Sequence, residues 1–519
     1  MPKGAALPSI RQIIELSQGF GIDMPESDAE EYQTLMRGPI ASFKRLEELP
    51  EYRPPIKYPR DPGYRPSAEQ NPYNAWYWRC QIEGAATGPL KGYDVGIKDA
   101  IGVAGVPMMN GTRLLEGFIA DIDATVVTRI LDAGGTIVGK TNTEDCSFSG
   151  GGHTCALGPT RNPRKPTHSP GGSSSGSGAA VAAGDVKMTL GGDQAGSIRI
   201  PACRSGIVGL KPTFGLVPYT GAVMIEMTID TIGPMCDTVE NAARLLSVVA
   251  GPCPHDPRQR GVIPTNWVKD YMPSIDKGVK GLRIGLLDEG FGQNDWPDLG
   301  FPGSDEVVDN ACLAAIKALE AQGAEVVRVS APIHMDGPHI WNGVGLEGSC
   351  EFMIKGNNQG TNWRGLYNTR LQEAFGRGFD ARINDLPVAG KLVLLLGEYM
   401  KQNYHGRYHA KAQNQRHLLD DAYDNILKDC DVIAMPTIPF VTPPLAEPDC
   451  SIVEEMRLAL DMINNTCQFN LTGHPAISVP CGAAGDLPIG LMLVGNRFND
   501  LTVLQVADAV EKTGDWRAR

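Results

Sequence analysis

The chain has 519 residues, is 42% hydrophobic and 21% charged, and carries a formal net charge of −13. A chain of that size and hydrophobicity can bury one large core or several ordinary ones, whereas its acidity argues against nucleic acid or an anionic membrane as partner, because both reward basic patches. No apolar run approaches the roughly 18 residues of a membrane span. The opening MPKGAALPSIRQ also lacks the charged region and apolar run of a secretory signal. Twelve scattered cysteines with no C-x-x-C pair point to neither a disulfide framework nor a zinc site. Reduced, buried thiols in a cytoplasmic protein are expected.

In chain order, Ser9 with Gln12 makes a capping box ahead of Ile10, Ile13, Ile14 and Leu16, predicting a helix that ends at Gly19 or Gly21. Ser27 with Glu30 predicts a second helix to about residue 47, with Tyr32, Leu35, Met36 and Ile40 on one face. Prolines at 50, 54, 55, 59, 62, 66 and 72 then predict an extended, irregular linker and a boundary near residue 90. Beyond it, β-like runs alternate with helical ones: Tyr93–Ile97, the helix Asp123–Ala133, Thr136–Gly139, Leu282–Leu287, the helix Asp305–Gln322, and Ala324–Val329. Such alternation implies an α/β sheet covered on both faces. Residues 340–430 read as a helix-rich insertion, followed by β-like runs Asp431–Met435 and Ala476–Val479 and a last helix from Leu501 to Glu511.

Three stretches carry chemistry. Val95-Gly96-Ile97-Lys98-Asp99 ends an apolar strand on a lysine, and Ser169-Pro170-Gly171-Gly172-Ser173 opens a glycine–serine run leading into the helix Ala179–Ala183. The third is Asp193-Gln194-Ala195-Gly196-Ser197-Ile198-Arg199-Ile200-Pro201. A serine hydroxyl is a poor nucleophile until a base takes its proton. None of these stretches contains a histidine, but a lysine serves if burial keeps it neutral near pH 7. Glycines beside the serines let backbone N–H groups approach a reacting carbonyl. Each stretch has a plainer reading: a flexible linker, a surface lysine, and a helix cap at Ser197.

Taken together, they resemble the amidase signature family. Ser197 lies 24 residues after Ser173, and Ser173 lies 75 after Lys98. Ala133–Asn142, Arg161–Pro163, Val208–Thr213, Asn470–Ala476 and Leu487–Leu491 add to the likeness, which covers residue 91 to the end. The resemblance implies an amidase signature fold of class α/β, with a mixed β-sheet between helical layers and a helical N-terminal segment. It also implies that Ser197 becomes the acyl-enzyme and that Ser173, on a cis peptide after Gly172, bridges Ser197 to Lys98. The amides of Gln194, Ala195, Gly196 and Ser197 would form the oxyanion hole. No cofactor or metal is implied. One departure is Ala195, where the family usually has glycine; its Cβ is expected to alter rate, acyl acceptor or deacylation.

The segment 1–90 resembles that of bacterial amidases of nitrile metabolism, which act on aliphatic and aromatic primary amides and use the segment to form homodimers. Its apolar faces could serve that purpose or pack back on the domain 91–519. By motif position, Phe148, Ile229, Trp341 and Ile452 are candidate walls of an apolar substrate pocket. His405 and His409 read as a pair four apart on one polar helix, and His474 as a structural hydrogen-bonding residue. Two rival functions share the motifs: the glutamine-hydrolysing component of a tRNA-dependent amidotransferase, and a hydrolase of anilides, esters or carbamates. A non-catalytic scaffold with the same fold is a third, set against the presence of all three catalytic side chains.

Overall fold

A computed structural model describes residues 4–518. The chain divides into two compact units, Met1–Pro55 and Ile56–Arg519.

In the first unit, α1 (Ile10–Gly19) opens on the expected capping box: Ser9 Oγ accepts from Gln12 N, and Gln12 Oε1 accepts from Ser9 N at 2.8 Å. The second expected box is not formed. α2 (Glu26–Glu48) starts two residues earlier, after Pro25, with no side-chain cap, and Ser27 Oγ donates to Asp28 Oδ1 instead. Ser27 is already helical, and Glu26 and Asp28 supply the negative charge that the first turn favours. Ile13 of α1 and Ala29 of α2 are buried, while Leu16, Tyr32 and Leu35 are exposed.

The second unit is built on one mixed sheet of eleven strands. These are β1 (Trp76–Glu83), β2 (Asp94–Lys98), β3 (Thr136–Thr141), β4 (Met188–Asp193), β5 (Val208–Lys211) and β6 (Thr231–Cys236), then β7 (Arg283–Leu287), β8 (Glu325–Val329), β9 (Val432–Pro436), β10 (Ala476–Ala484) and β11 (Leu487–Gly495). Their spatial order is β1-β3-β2-β4-β6-β5-β10-β11-β9-β7-β8. β2 runs parallel to both β3 and β4, so Lys98 ends a strand enclosed on both sides. β1 lies within the stretch expected to be linker. It pairs antiparallel with β3, Ile82 opposite Ile137, so the division falls between Pro55 and Ile56 rather than near residue 90. Proline content reports local stiffness; only cross-chain pairing ties residues 76–83 to the sheet.

Alternating side chains give the sheet two buried faces. On β11, Leu491 and Leu493 join one hydrophobic cluster and Met492 and Val494 the other; on β9, Val432 and Ala434 part in the same way from Ile433 and Met435. Three helices sit among the glycine-rich loops of the first half: α3 (Thr125–Asp132), α4 (Ser175–Ala182) and α5 (Arg199–Ser205). α3, α6 (Val239–Val249) and α7 (Glu306–Ala321) contribute to the first cluster. α8 (Gly337–Ser349), α9 (Thr369–Arg382), α10 (Val388–Tyr404) and α11 (Arg407–Ile426) contribute to the second, with α12 (Ile452–Leu460) beside them. α13 (Gln468–Leu471) leads into β10, and α14 (Asp500–Glu511) returns to the first cluster. His405 ends α10 with φ 57° and His409 lies in α11, so the two histidines do not share a helix. Among the described residues no helix is long and apolar enough to cross a membrane.

Candidate functional site

The three motifs converge at the ends of β2 and β4. Lys98 is 1% exposed, and its Nζ donates to Ser173 Oγ at 2.7 Å and to Gly192 O at 3.5 Å. Burial pulls its pKa down to about 7, against the pull of Asp193, Glu144 and Asp230. Ser173 precedes α4, is fully buried, and follows Gly172 through a cis peptide, as the resemblance implies. The next residue, Ser174, ties the run to β4: its Oγ donates to Gly192 O and accepts from Gly192 N, both at 3.2 Å. The strand must come this close. A Cβ on Gly191 would stand 2.9 Å from Ser174 Oγ and 2.6 Å from Met235 Sδ.

Ser197 lies on the loop between β4 and α5 and is 8% exposed. It does not cap α5, whose first flanking residue is Ile198. The loop is braced from below by Asp193, which accepts from Ile198 N at 3.0 Å, from Arg199 Nη2 at 2.9 Å and from Asn470 Nδ2 at 2.8 Å. Burial opposes the charge on Asp193, but the Arg199 guanidinium and Asn470 hold its carboxyl at about 2. From above, Trp341 Nε1 donates to Gln194 O at 2.8 Å, and Thr466 Oγ1 donates to Ala195 O. The N–H groups of Ala195, Gly196 and Ser197 meet no acceptor among the described residues.

The left-handed demand falls on Gly196, at φ 139°, and not on Ala195. A Cβ at Gly196 would meet Ile200 Cδ1 and Thr466 Oγ1, both at 2.6 Å. The alanine therefore occupies the position of the pair that tolerates a side chain.

Beside Ser197 opens a narrow apolar cavity lined by Phe148, Ile200, Ile225, Trp341, Leu460 and Ile463, with Ser147, Ser149, Gly150, Gln194, Ala195, Ser197 and Ala459 completing the wall. No charged side chain lines it. Of the four wall residues expected from motif position, Phe148 and Trp341 lie here, their rings 6.4 Å apart. Ile229 is buried in the core without reaching the cavity, and Ile452 is 69% exposed at the start of α12. α12 does turn a face to the cavity, but through Ala459 and Leu460, two turns further on. Ile200 was reachable from sequence, as an apolar residue three after Ser197 on a short helix. Ile225 and Ile463 come from distant segments with no local signal. His474 is buried, its ring nitrogens 2.8 Å from Thr472 Oγ1 and 3.0 Å from Asp424 Oδ1, away from this cavity.

Comparison with known proteins accords with this geometry. Residues 69–504 match the family described as amidase. The chain is 39% identical to an enantioselective amidase of Rhodococcus rhodochrous over 515 residues, 98% of this chain and 96% of that protein. It is 37% identical to a glutamyl-tRNA(Gln) amidotransferase subunit of Halobacterium salinarum, over 85% of this chain and 99% of that one. The solved structure of native peptide amidase from Stenotrophomonas maltophilia superposes with a TM-score of 0.68 at 28% identity, covering 83% of this chain and 84% of the other.

Proposed function

The chain belongs to the amidase family and is a hydrolase of amide C–N bonds; on that premise we propose that it converts small aliphatic or aromatic primary amides to carboxylic acid and ammonia through an acyl-enzyme on Ser197. Lys98, neutral above pH 7, takes the Ser197 proton by way of Ser173. The Ser197 oxygen then bonds to the amide carbon, and the resulting oxyanion is held by the free N–H groups of residues 195–197. Lys98 returns the proton to nitrogen through Ser173, the C–N bond breaks, and ammonia leaves. Water enters by the same relay and releases the acid.

The observation that carries this reading is the 2.7 Å contact between a buried lysine without a carboxylate partner and a buried serine, beside the cavity that Ser197 lines. The uncharged wall supports a hydrocarbon acyl group and a neutral leaving group. A second reading, glutamine hydrolysis within an amidotransferase, is favoured by relatives such as the Halobacterium protein. Against it, no charged side chain among the described residues of this wall offers an ion pair to either end of free glutamine.

Ser197→Ala assayed on a panel of aliphatic, aromatic and peptide amides tests the proposal. Ammonia release should fall by at least about 10⁴-fold; retained activity would remove Ser197 as nucleophile. Activity on glutamine alone, and only with a partner chain, would favour the second reading.

We further propose a cytoplasmic homodimer in which the exposed apolar residues of the first unit, among them Leu16, Phe20 and Leu35, take part. Buried, unpaired thiols suit a reducing compartment.

A further inference from the structure

From the carbonyl of Ser173 runs a buried line of polar groups that the mechanism above does not use. Ser173 O accepts from Thr143 Oγ1 at 2.8 Å and from Glu144 N at 3.2 Å. Thr143 Oγ1 lies 3.1 Å from Ser147 Oγ, and Ser147 Oγ lies 2.7 Å from Asn110 Oδ1. Thr143, Ser173 and Asn110 are wholly buried, and Ser147 is 5% exposed where it lines the cavity.

Counting protons shows that one group is turned the wrong way. A hydroxyl has a single hydrogen. If Ser147 gives its hydrogen to Asn110 Oδ1 and Thr143 gives its own to Ser173 O, the contact between Thr143 and Ser147 has none. At the same time Asn110 Nδ2 is buried with no acceptor. An orphaned N–H is costlier and rarer than an under-used carbonyl. Turning the Asn110 amide by half a turn cures both faults, because oxygen and nitrogen simply exchange places. Nδ2 then donates to Ser147 Oγ, Ser147 to Thr143 Oγ1, and Thr143 to Ser173 O.

We infer that Asn110, Ser147 and Thr143 form a one-way hydrogen-bond chain whose role is to position Ser173 for proton relay. This rests on the reading of Ser173 as the relay. Bonds in such a chain polarise one another, and the last one clamps the serine's carbonyl while Lys98 holds its hydroxyl. The other end of the chain is anchored beside the lysine. Asn110 N donates to Asp99 Oδ2 at 2.7 Å, and Asp99, the residue after Lys98, is held by Lys140 at 2.8 Å. The separation of Lys98 and Ser173 is thus set by a closed loop of bonds. Cys146 and Ser147 both take left-handed φ values, 51° and 57°, which L residues rarely adopt unless the surroundings impose them. That conformation brings Ser147 to Asn110 while Phe148 reaches the cavity wall. Thr143, Ser147 and Asn110 are positioning residues: none is assigned a bond to substrate.

The decisive comparison is Thr143→Val, which keeps the side-chain shape and removes the hydroxyl, against Thr143→Ser, which keeps the hydroxyl. In the full-length enzyme, Thr143→Val should lower kcat by on the order of 10- to 100-fold and leave KM within about threefold, as expected when a group acts in the transition state only. Thr143→Ser should recover most of the rate. Rates are normalised to sites titrated with a fluorophosphonate that phosphonylates the nucleophilic serine and releases fluoride, so a smaller folded fraction does not count as lower kcat. Parental kcat per titrated site in Thr143→Val, or a Thr143→Ser enzyme equally impaired, overturns the inference. If Thr143→Val does not fold, Ser147→Ala removes the middle donor, and parental kcat there overturns it as well. Asn110→Leu tests the far end of the chain. It keeps the side-chain volume and removes the amide, so kcat should fall as in Ser147→Ala, whereas parental kcat overturns that end of the chain. Ser173→Ala separates the layers: retained activity removes the relay itself, while an inactive Ser173→Ala beside a fully active Thr143→Val removes only the positioning chain.

Discussion

Lys98 and Lys140 end neighbouring parallel strands, Ile97 standing opposite Lys140 in the register of β2 and β3. Both are essentially inaccessible. Lys140 meets a carboxylate, Asp99 Oδ1, at 2.8 Å, whereas Lys98 meets only the neutral oxygens of Ser173 and Gly192. One step in the register of neighbouring strands separates a compensated charge from an uncompensated one. The first holds structure together, and the second is free to give up its proton near neutral pH. Burial alone does not make a base, for Lys211, at the end of β5, is also pulled down to about 7 by burial and by Arg199, yet its Nζ donates to the carbonyl of Pro212. What distinguishes Lys98 is the serine in front of it.

Substitution should split the two lysines. Lys98→Met should lower kcat/KM by about 10²- to 10⁴-fold while leaving the melting temperature unchanged or raised, since a poorly solvated ammonium is lost; an active Lys98→Met enzyme would end its role as base. Lys140→Met should instead destabilise the fold by about 3–5 kcal/mol, because Asp99 is left buried without its partner. Denaturant titration reads that loss. It should grow as pH rises: burial raises the Asp99 pKa and Lys140 opposes that rise, so without Lys140 the folded state gives up this proton at a higher pH than the unfolded chain does.

In the parent enzyme, the lowered pKa of Lys98 means that the protonated, inactive form dominates below about pH 7. There kcat/KM should rise about tenfold per pH unit and then level off. A profile flat from pH 5 to 9 would contradict a lysine base. The smallest effect concerns the loop. Trp341→Phe keeps the ring on the cavity wall but removes the bond to Gln194 O, and should reduce kcat/KM by about 2- to 10-fold. Ile452→Ala, at an exposed position, should leave the same kinetics unaltered.

Amphipathic periods and glycine punctuation announced β2, β3, β7, β8, β9, α3, α7 and α14 to within about two residues, met β10 and α4 at one end only, and gave no strand expectation for β4, β5, β6 or β11. β1 escaped because its signal is pairing with β3, and the prolines before it spoke louder. The Ser27 box failed for a related reason: an i, i+3 pattern shows that a cap is possible, while Pro25 settled where helical φ could begin.

For the site, the chain itself carried the residue types and spacings of Lys98, Ser173 and Ser197 and the departure at Ala195. These lie in contiguous motifs whose glycines answer to local backbone geometry. Tertiary structure alone decided that the left-handed conformation falls on Gly196 and spares Ala195, that Phe148 and Trp341 share a wall with Ile225 and Ile463, and that Ile452 does not. It alone brought Thr143, Ser147 and Asn110 into line behind Ser173. The physical reason is common to all of these. Local sequence governs the dihedral choices of a few residues, whereas a cavity wall or a buried hydrogen-bond chain depends on which distant segments the folded core brings within about 3 to 4 Å of one another.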